Sequence, residues 1–146
     1  MRSHGFTLPE MLITLTVVGT LSALGVSGFV SLREAAALRS STRVIRQQLT
    51  MARRAAVNGR QTVRFRSTGG SLVLETPSGT VLASTSLEGV DPLPVDSVVL
   101  RPASFRFNAR GQAAPGSVYL FRGNRSVRIV CNFLGRLRTE PVRRTG

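Results

Sequence analysis

The stretch Gly5–Leu32, GFTLPEMLITLTVVGTLSALGVSGFVSL, decides how the rest of the chain is read. From Met11 through Leu32 it holds 22 residues without a charge, bounded by Glu10 and Arg33. A helix rises about 1.5 Å per residue, so this run covers roughly 33 Å, enough to cross a bilayer core of about 30 Å. A short polar leader, Met1–Gly5, precedes it. Two ordinary segments share this outline. A secretory signal peptide has a basic start, an apolar centre and a small-residue cleavage site, for which Ala23-Leu24-Gly25 is a loose match. A signal anchor accounts for the length. Neither gives a reason for Glu10, because a carboxylate at the edge of hydrocarbon is costly and needs a cation as partner.

Residues 33–146 suffice for one domain. All 20 basic residues of the chain are arginine. Ten of them (101, 106, 110, 122, 125, 128, 136, 138, 143 and 144) follow Leu100, where Glu140 is the one acid. Such asymmetry points to a polyanion or an anionic surface as partner. The single cysteine, Cys131, excludes an intramolecular disulfide, and its apolar setting fits a buried, inert thiol, with pairing to a second chain as the alternative. The single histidine, His4, lies in the leader. No catalytic residue, metal site or cofactor is expected, since no histidine–cysteine pair, ligand cluster or carboxylate pair has a suitable spacing.

Past Arg33 the helical period continues. Leu38, Ile45, Leu49, Ala52 and Ala56 draw one apolar stripe, and Asn58-Gly59 supplies a left-handed stop. Beyond it the period becomes 2. Val63–Arg66, Ser71–Glu75 and Thr80–Ser84 read as a meander, and residues 85–97 as an irregular loop. Val98–Leu100, Ser104–Asn108, Val118–Phe121 and Val127–Cys131 follow as strands, the last two joined by Gly123-Asn124. No internal repeat is evident. The pattern predicts an α+β architecture: a long N-terminal helix, its lower half transmembrane, packed on a C-terminal antiparallel β-sheet domain.

Gly5-Phe6-Thr7-Leu8-Pro9-Glu10, followed by the apolar run, resembles the class III leader of type IV pilins and pseudopilins. The resemblance implies that a prepilin peptidase cuts between Gly5 and Phe6 and methylates the new Phe6 amine. It also implies that Glu10 pairs with the Phe6 amine of a neighbouring pilin or pseudopilin during assembly, which would offset the desolvation of both charges. The organisation expected is a leader over 1–5, a transmembrane and polymerisation helix over 6–32, an amphipathic helix over 33–58 and a β-rich domain over 59–146. The localisation implied is the bacterial inner membrane, single pass with the domain in the periplasm, then the fibre.

Phe105-Arg106-Phe107-Asn108-Ala109-Arg110-Gly111, Pro115-Gly116-Ser117-Val118 and Gly135-Arg136-Leu137-Arg138 are similar to the C-terminal domain of the GspH/FimT family of minor pilins and pseudopilins. The last of these matches the Gly-Arg-x-Arg motif of FimT-like minor pilins, which bind DNA in natural transformation. In an extended strand Arg136 and Arg138 project together about 6–7 Å apart, a spacing that suits neighbouring phosphates. Gly135 permits close backbone approach, Leu137 would point inward, and Arg125, Arg128, Arg143 and Arg144 would extend the surface. Tyr119, Phe121 and Phe133 are expected in the core, so contacts should go to the DNA backbone. A plainer reading of the same arginines is a solvated edge strand that discourages sheet association. The motif also occurs in type II secretion pseudopilins. Three functions follow: a DNA-binding minor pilin of a competence pilus, an H-type minor pseudopilin, or a signal-anchored periplasmic binding domain.

Overall fold

The computed structural model describes residues 7–88 and 92–142, the side chains of 23–27 and 142 excepted. The leader, the Gly5–Phe6 junction, Arg143 and Arg144 lie outside these residues. Helix α1 spans Leu8–Asn58. Pro9 falls in its first turn, where the missing N–H costs no hydrogen bond, and Glu10 places negative charge at the positive end of the helix. The chain divides into two units, Met1–Arg33 and Glu34–Gly146.

In the first unit every described large apolar side chain is exposed, among them Leu8, Met11, Ile13, Leu21 and Phe29. The hydroxyls of Thr14, Thr16 and Thr20 donate to the carbonyls of Glu10, Leu12 and Thr16 at 2.8, 2.7 and 3.1 Å. These three hydroxyls are thus satisfied within the helix, which suits an apolar surrounding. Among the described residues no helix is long and apolar enough to cross a membrane. The undescribed side chains 23–27 stand in the middle of the apolar run.

In the second unit the expected stripe is the core face of the helix: Leu38, Ile45, Leu49, Ala52 and Ala56 are all buried. The helix stop differs from expectation. Gln61 N–H donates to Ala56 O at 3.1 Å and Arg60 N–H to Val57 O at 3.3 Å, which makes Arg60, with φ 48°, the left-handed residue in place of Gly59. The helix keeps its regular geometry one residue longer before the chain reverses.

Eight strands follow among the described residues, one more than the alternation predicts: β1 Val63–Thr68, β2 Ser71–Glu75, β3 Val81–Ser86, β4 Ser97–Arg101, β5 Ser104–Phe107, β6 Gly116–Arg122, β7 Arg125–Cys131 and β8 Leu137–Val142. They form two antiparallel four-stranded sheets, ordered β3-β2-β1-β5 and β4-β6-β7-β8. The meander forms as expected, but Pro102-Ala103 carries the chain from the second sheet back to the first, where β5 pairs with β1. That pairing sets Phe65 opposite Phe105, with ring centroids 6.5 Å apart and both rings fully buried. Val118, Leu120, Ile129 and Cys131 from the second sheet complete the core, and Leu93 anchors the loop before β4.

Candidate nucleic-acid interface

The Gly-Arg-x-Arg segment begins in a tight turn whose geometry occurs twice. In Asn108–Gln112, the Asn108 N–H donates to Gln112 O, Gly111 N–H to Asn108 O, and Gln112 N–H to Asn108 Oδ1, at 2.9, 2.8 and 3.0 Å. In Asn132–Arg136, the corresponding bonds are Asn132 N–H to Arg136 O, Gly135 N–H to Asn132 O, and Arg136 N–H to Asn132 Oδ1, at 3.0, 2.9 and 2.8 Å. The two turns share the four-residue pattern Asn-x-x-Gly, Asn108–Gly111 and Asn132–Gly135. The side-chain amide occupies the acceptor role that a backbone carbonyl would otherwise fill.

The two turns lean on each other. Ala113 N–H donates to Phe133 O at 3.0 Å, and Arg53 Nε from α1 donates to Gly111 O at 3.1 Å. A Cβ at Gly135, whose φ is +69°, would lie 2.5 Å from Gly111 O. Gly135 therefore has a packing reason that is independent of any ligand. Cys131, at the end of β7, is buried; burial pushes its thiol pKa up, opposed by the positive charge of Arg53.

Beyond the turn, Arg136 and Arg138 are exposed on either side of half-buried Leu137, which packs against the core. Leu137 pairs with Cys131 and Arg138 with Val130. Arg136 stands one residue before β8, not inside it. Arg138 Nε lies 3.6 Å from Glu140 Oε1, with the Arg138 side chain 82% exposed. An ion pair so open to water is weak, so a phosphate can compete for the guanidinium.

Arg128 faces outward on β7, opposite Glu140 and diagonal to Arg138. Its guanidinium carbon lies 5.6 Å from the Tyr119 ring centroid, and Nε donates to Ser117 Oγ at 2.9 Å. Arg125 sits at the other end of β7, across from Arg122 in the hairpin, about 20 Å from Cys131 at roughly 3.3 Å per residue. The predicted arginine cluster is therefore only partly assembled: Arg128 and Arg138 stand diagonally across β7 and β8, Arg136 lies in the turn before β8, and Arg125 is at the far end of β7.

The aromatic expectation is corrected. Phe133 is 56% and Phe121 37% exposed, and Tyr119 is half-buried. Tyr119 and Phe121 occupy the outward-facing positions of β6, while Val118 and Leu120 take the inward ones. The sequence does not single out Arg101 as a site residue; the β4–β6 register brings it into one row with Ser117, Val130 and Arg138. No local signal announces this, because the row exists only once four strands have paired. Chemically, the face offers guanidinium donors, one of them laid on Tyr119, beside the exposed Phe121 ring, which suits a polyanion.

Comparisons with known proteins agree with this architecture. Residues 41–135 match the family described as type II transport protein GspH, and residues 1–26 match the prokaryotic N-terminal methylation motif. None of the curated proteins matches the chain. The fold is similar to type IV minor pilin FimU of Pseudomonas aeruginosa in two crystal forms, at TM-score 0.55 and 19% identity, covering 71% of this chain and 93% or 88% of that one. It is also similar to the minor pseudopilin EpsH of the Vibrio cholerae type 2 secretion system, at TM-score 0.50 and 12% identity, covering 71% of this chain and 96% of that one. With most of its length matched by the family and its fold shared with minor pilins and pseudopilins, the chain belongs to the GspH family.

Proposed function

We propose that this chain is a minor pilin of a type IV competence pilus that binds extracellular DNA without sequence preference. The observation that carries the reading is the exposed Arg136–Leu137–Arg138 segment, with its leucine packed inward and Arg128 beside it on the outer face. Guanidinium forks pair with phosphate in bidentate fashion, and the Gly135 turn holds them at the end of a sheet. The N-terminal part supplies delivery. A prepilin peptidase cuts after Gly5 and methylates Phe6, the apolar run holds the precursor in the inner membrane with the domain in the periplasm, and Glu10 neutralises the Phe6 amine of the next pilin in the fibre. The match to the N-terminal methylation motif supports this part of the reading.

Fluorescence anisotropy with labelled duplex DNA across a salt series tests the binding. Wild type should bind with a steep salt dependence. Arg136→Ala/Arg138→Ala should weaken binding and flatten the slope by about 0.9 for each phosphate that is no longer neutralised. Equal binding by the two proteins at moderate salt would refute the site. A second reading, an H-type minor pseudopilin that initiates a type II secretion pseudopilus, is favoured by the family description and by the likeness to EpsH. Deleting the gene separates the two: loss of transformation supports the first, and loss of protein secretion the second.

A further inference from the structure

We propose that the outer face of the second sheet is a single-strand platform, on which unstacked bases lie against Phe121 and the stacked Tyr119–Arg128 pair while Arg101 and Arg138 hold the phosphates. The proposal rests on the DNA reading above and names the form of DNA that this face accepts.

The face is built of cross-strand rows. Val99, Tyr119, Arg128 and Glu140 form one; Arg101, Ser117, Val130 and Arg138 form the next. Phe121, two residues from Tyr119 on β6, continues the aromatic side. Val99 is 40% and Phe121 37% exposed, apolar area that the core, on the opposite side of the sheet, does not use. Glu140 is the one acid in these rows, and neither Arg101 nor Arg128 has an ion pair among the described residues. Charge selects a polyanion, and the exposed Phe121 ring, with the Arg128 guanidinium laid on the half-buried Tyr119 ring, selects one with flat apolar groups.

Spacing then separates single strands from duplexes. Tyr119 and Phe121 stand about 6.6 Å apart along β6, roughly twice the 3.4 Å rise per nucleotide of a stacked strand. Bases that cover both rings must therefore be pulled off one another, which a duplex does not allow. Arg128 is already oriented by the Tyr119 ring and Ser117 Oγ, so its guanidinium plane offers a further stacking surface with little left to order.

The chain has one tyrosine and no tryptophan, so its intrinsic emission reports on Tyr119 alone. The experiment titrates the full chain, in neutral detergent, with an oligothymidylate and with a duplex of equal length. Saturating oligothymidylate should quench the tyrosine emission, and the duplex should leave it nearly unchanged. Tyr119→Leu/Phe121→Leu should weaken oligothymidylate binding about five- to a hundred-fold while duplex affinity stays close to wild type. Unchanged emission at saturation, or wild-type oligothymidylate affinity in the leucine variant, would overturn the platform. If wild type binds neither DNA, the DNA reading itself fails. If Arg136→Ala/Arg138→Ala loses both DNAs while tyrosine emission never responds, the DNA reading stands and the platform falls. Should the leucine variant instead disperse a self-associated species with DNA binding intact, the face is a contact between copies and the platform is refuted. The quenching arm uses wild type and survives any folding defect of the variant.

Discussion

The outer faces of the two sheets carry similar residue types and treat them differently. On the first sheet, Arg66 makes a two-point contact with Glu75, Nε to Oε1 at 2.9 Å and Nη2 to Oε2 at 3.0 Å, and Arg64 approaches the same carboxylate at 3.9 Å. Two arginines there are occupied by one acid that the β1–β2 register places across from Arg64 and diagonal to Arg66. On the second sheet, Arg128 is turned onto a tyrosine and a serine, and Arg138 meets Glu140 only at 3.6 Å in open water. Arginine count is thus a poor guide to available charge. What matters is whether the guanidinium closes on the carboxylate that pairing places near it: Glu75 is held at two points by Arg66, whereas Arg128 leaves Glu140, directly across from it, for Tyr119 and Ser117.

The largest effect should come from the turns. Gly69, in the β1–β2 turn, has φ +54° and open space around its Cβ position, whereas Gly135 adds a 2.5 Å approach to Gly111 O. Gly69→Ala should cost about 1 kcal/mol of backbone strain, and Gly135→Ala about 2–4 kcal/mol, strain plus overpacking. Chemical denaturation measures both, and equal costs would dissolve the distinction between the turns. Next come the faces themselves. Arg128→Ala/Arg138→Ala should weaken duplex binding about tenfold, through two phosphates left unneutralised at low salt, while Arg64→Ala/Arg66→Ala should change it less than about twofold. Equal weakening would mean that net charge, not arrangement, governs binding.

The smallest effect concerns acid. The Arg66 hydrogen bonds hold the Glu75 carboxyl below its usual range, aided by the positive charges of Arg66 and Arg64 and opposed by partial burial. A carboxylate depressed in the folded state contributes stability above its unfolded pKa of about 4.3 and loses it as pH falls through the lower folded value. Glu75→Gln should therefore melt earlier than wild type near neutral pH, and the gap should close on acidification to roughly pH 3. A gap that persists in acid would assign the effect to packing instead.

Much of this is legible in the chain because it depends on near neighbours. The stripe from Leu38 to Ala56 is a helical period, and the strand alternation around Val63 and Phe65 is a period of two. The hairpin at Gly123-Asn124 forms as its residues suggest. Tyr119, Phe121 and Phe133 depart from expectation for the complementary reason: hydrophobicity predicts burial on average, but a strand has two faces, and only the partner strands decide which one is covered.

By itself the sequence determined the uncharged run with Glu10 at its edge, the amphipathic helix that follows it, and the arginine excess after Leu100, since each is a matter of composition or of spacing within one segment. Only the tertiary structure decided that Gly135 is spent on packing against Gly111, that Glu75 occupies the arginines of one sheet, and that Arg101, Arg128 and Arg138 share a face with Tyr119 and Phe121. Those outcomes depend on pairing between strands far apart in the chain, where the free energy of the whole core, not of any one segment, selects the register.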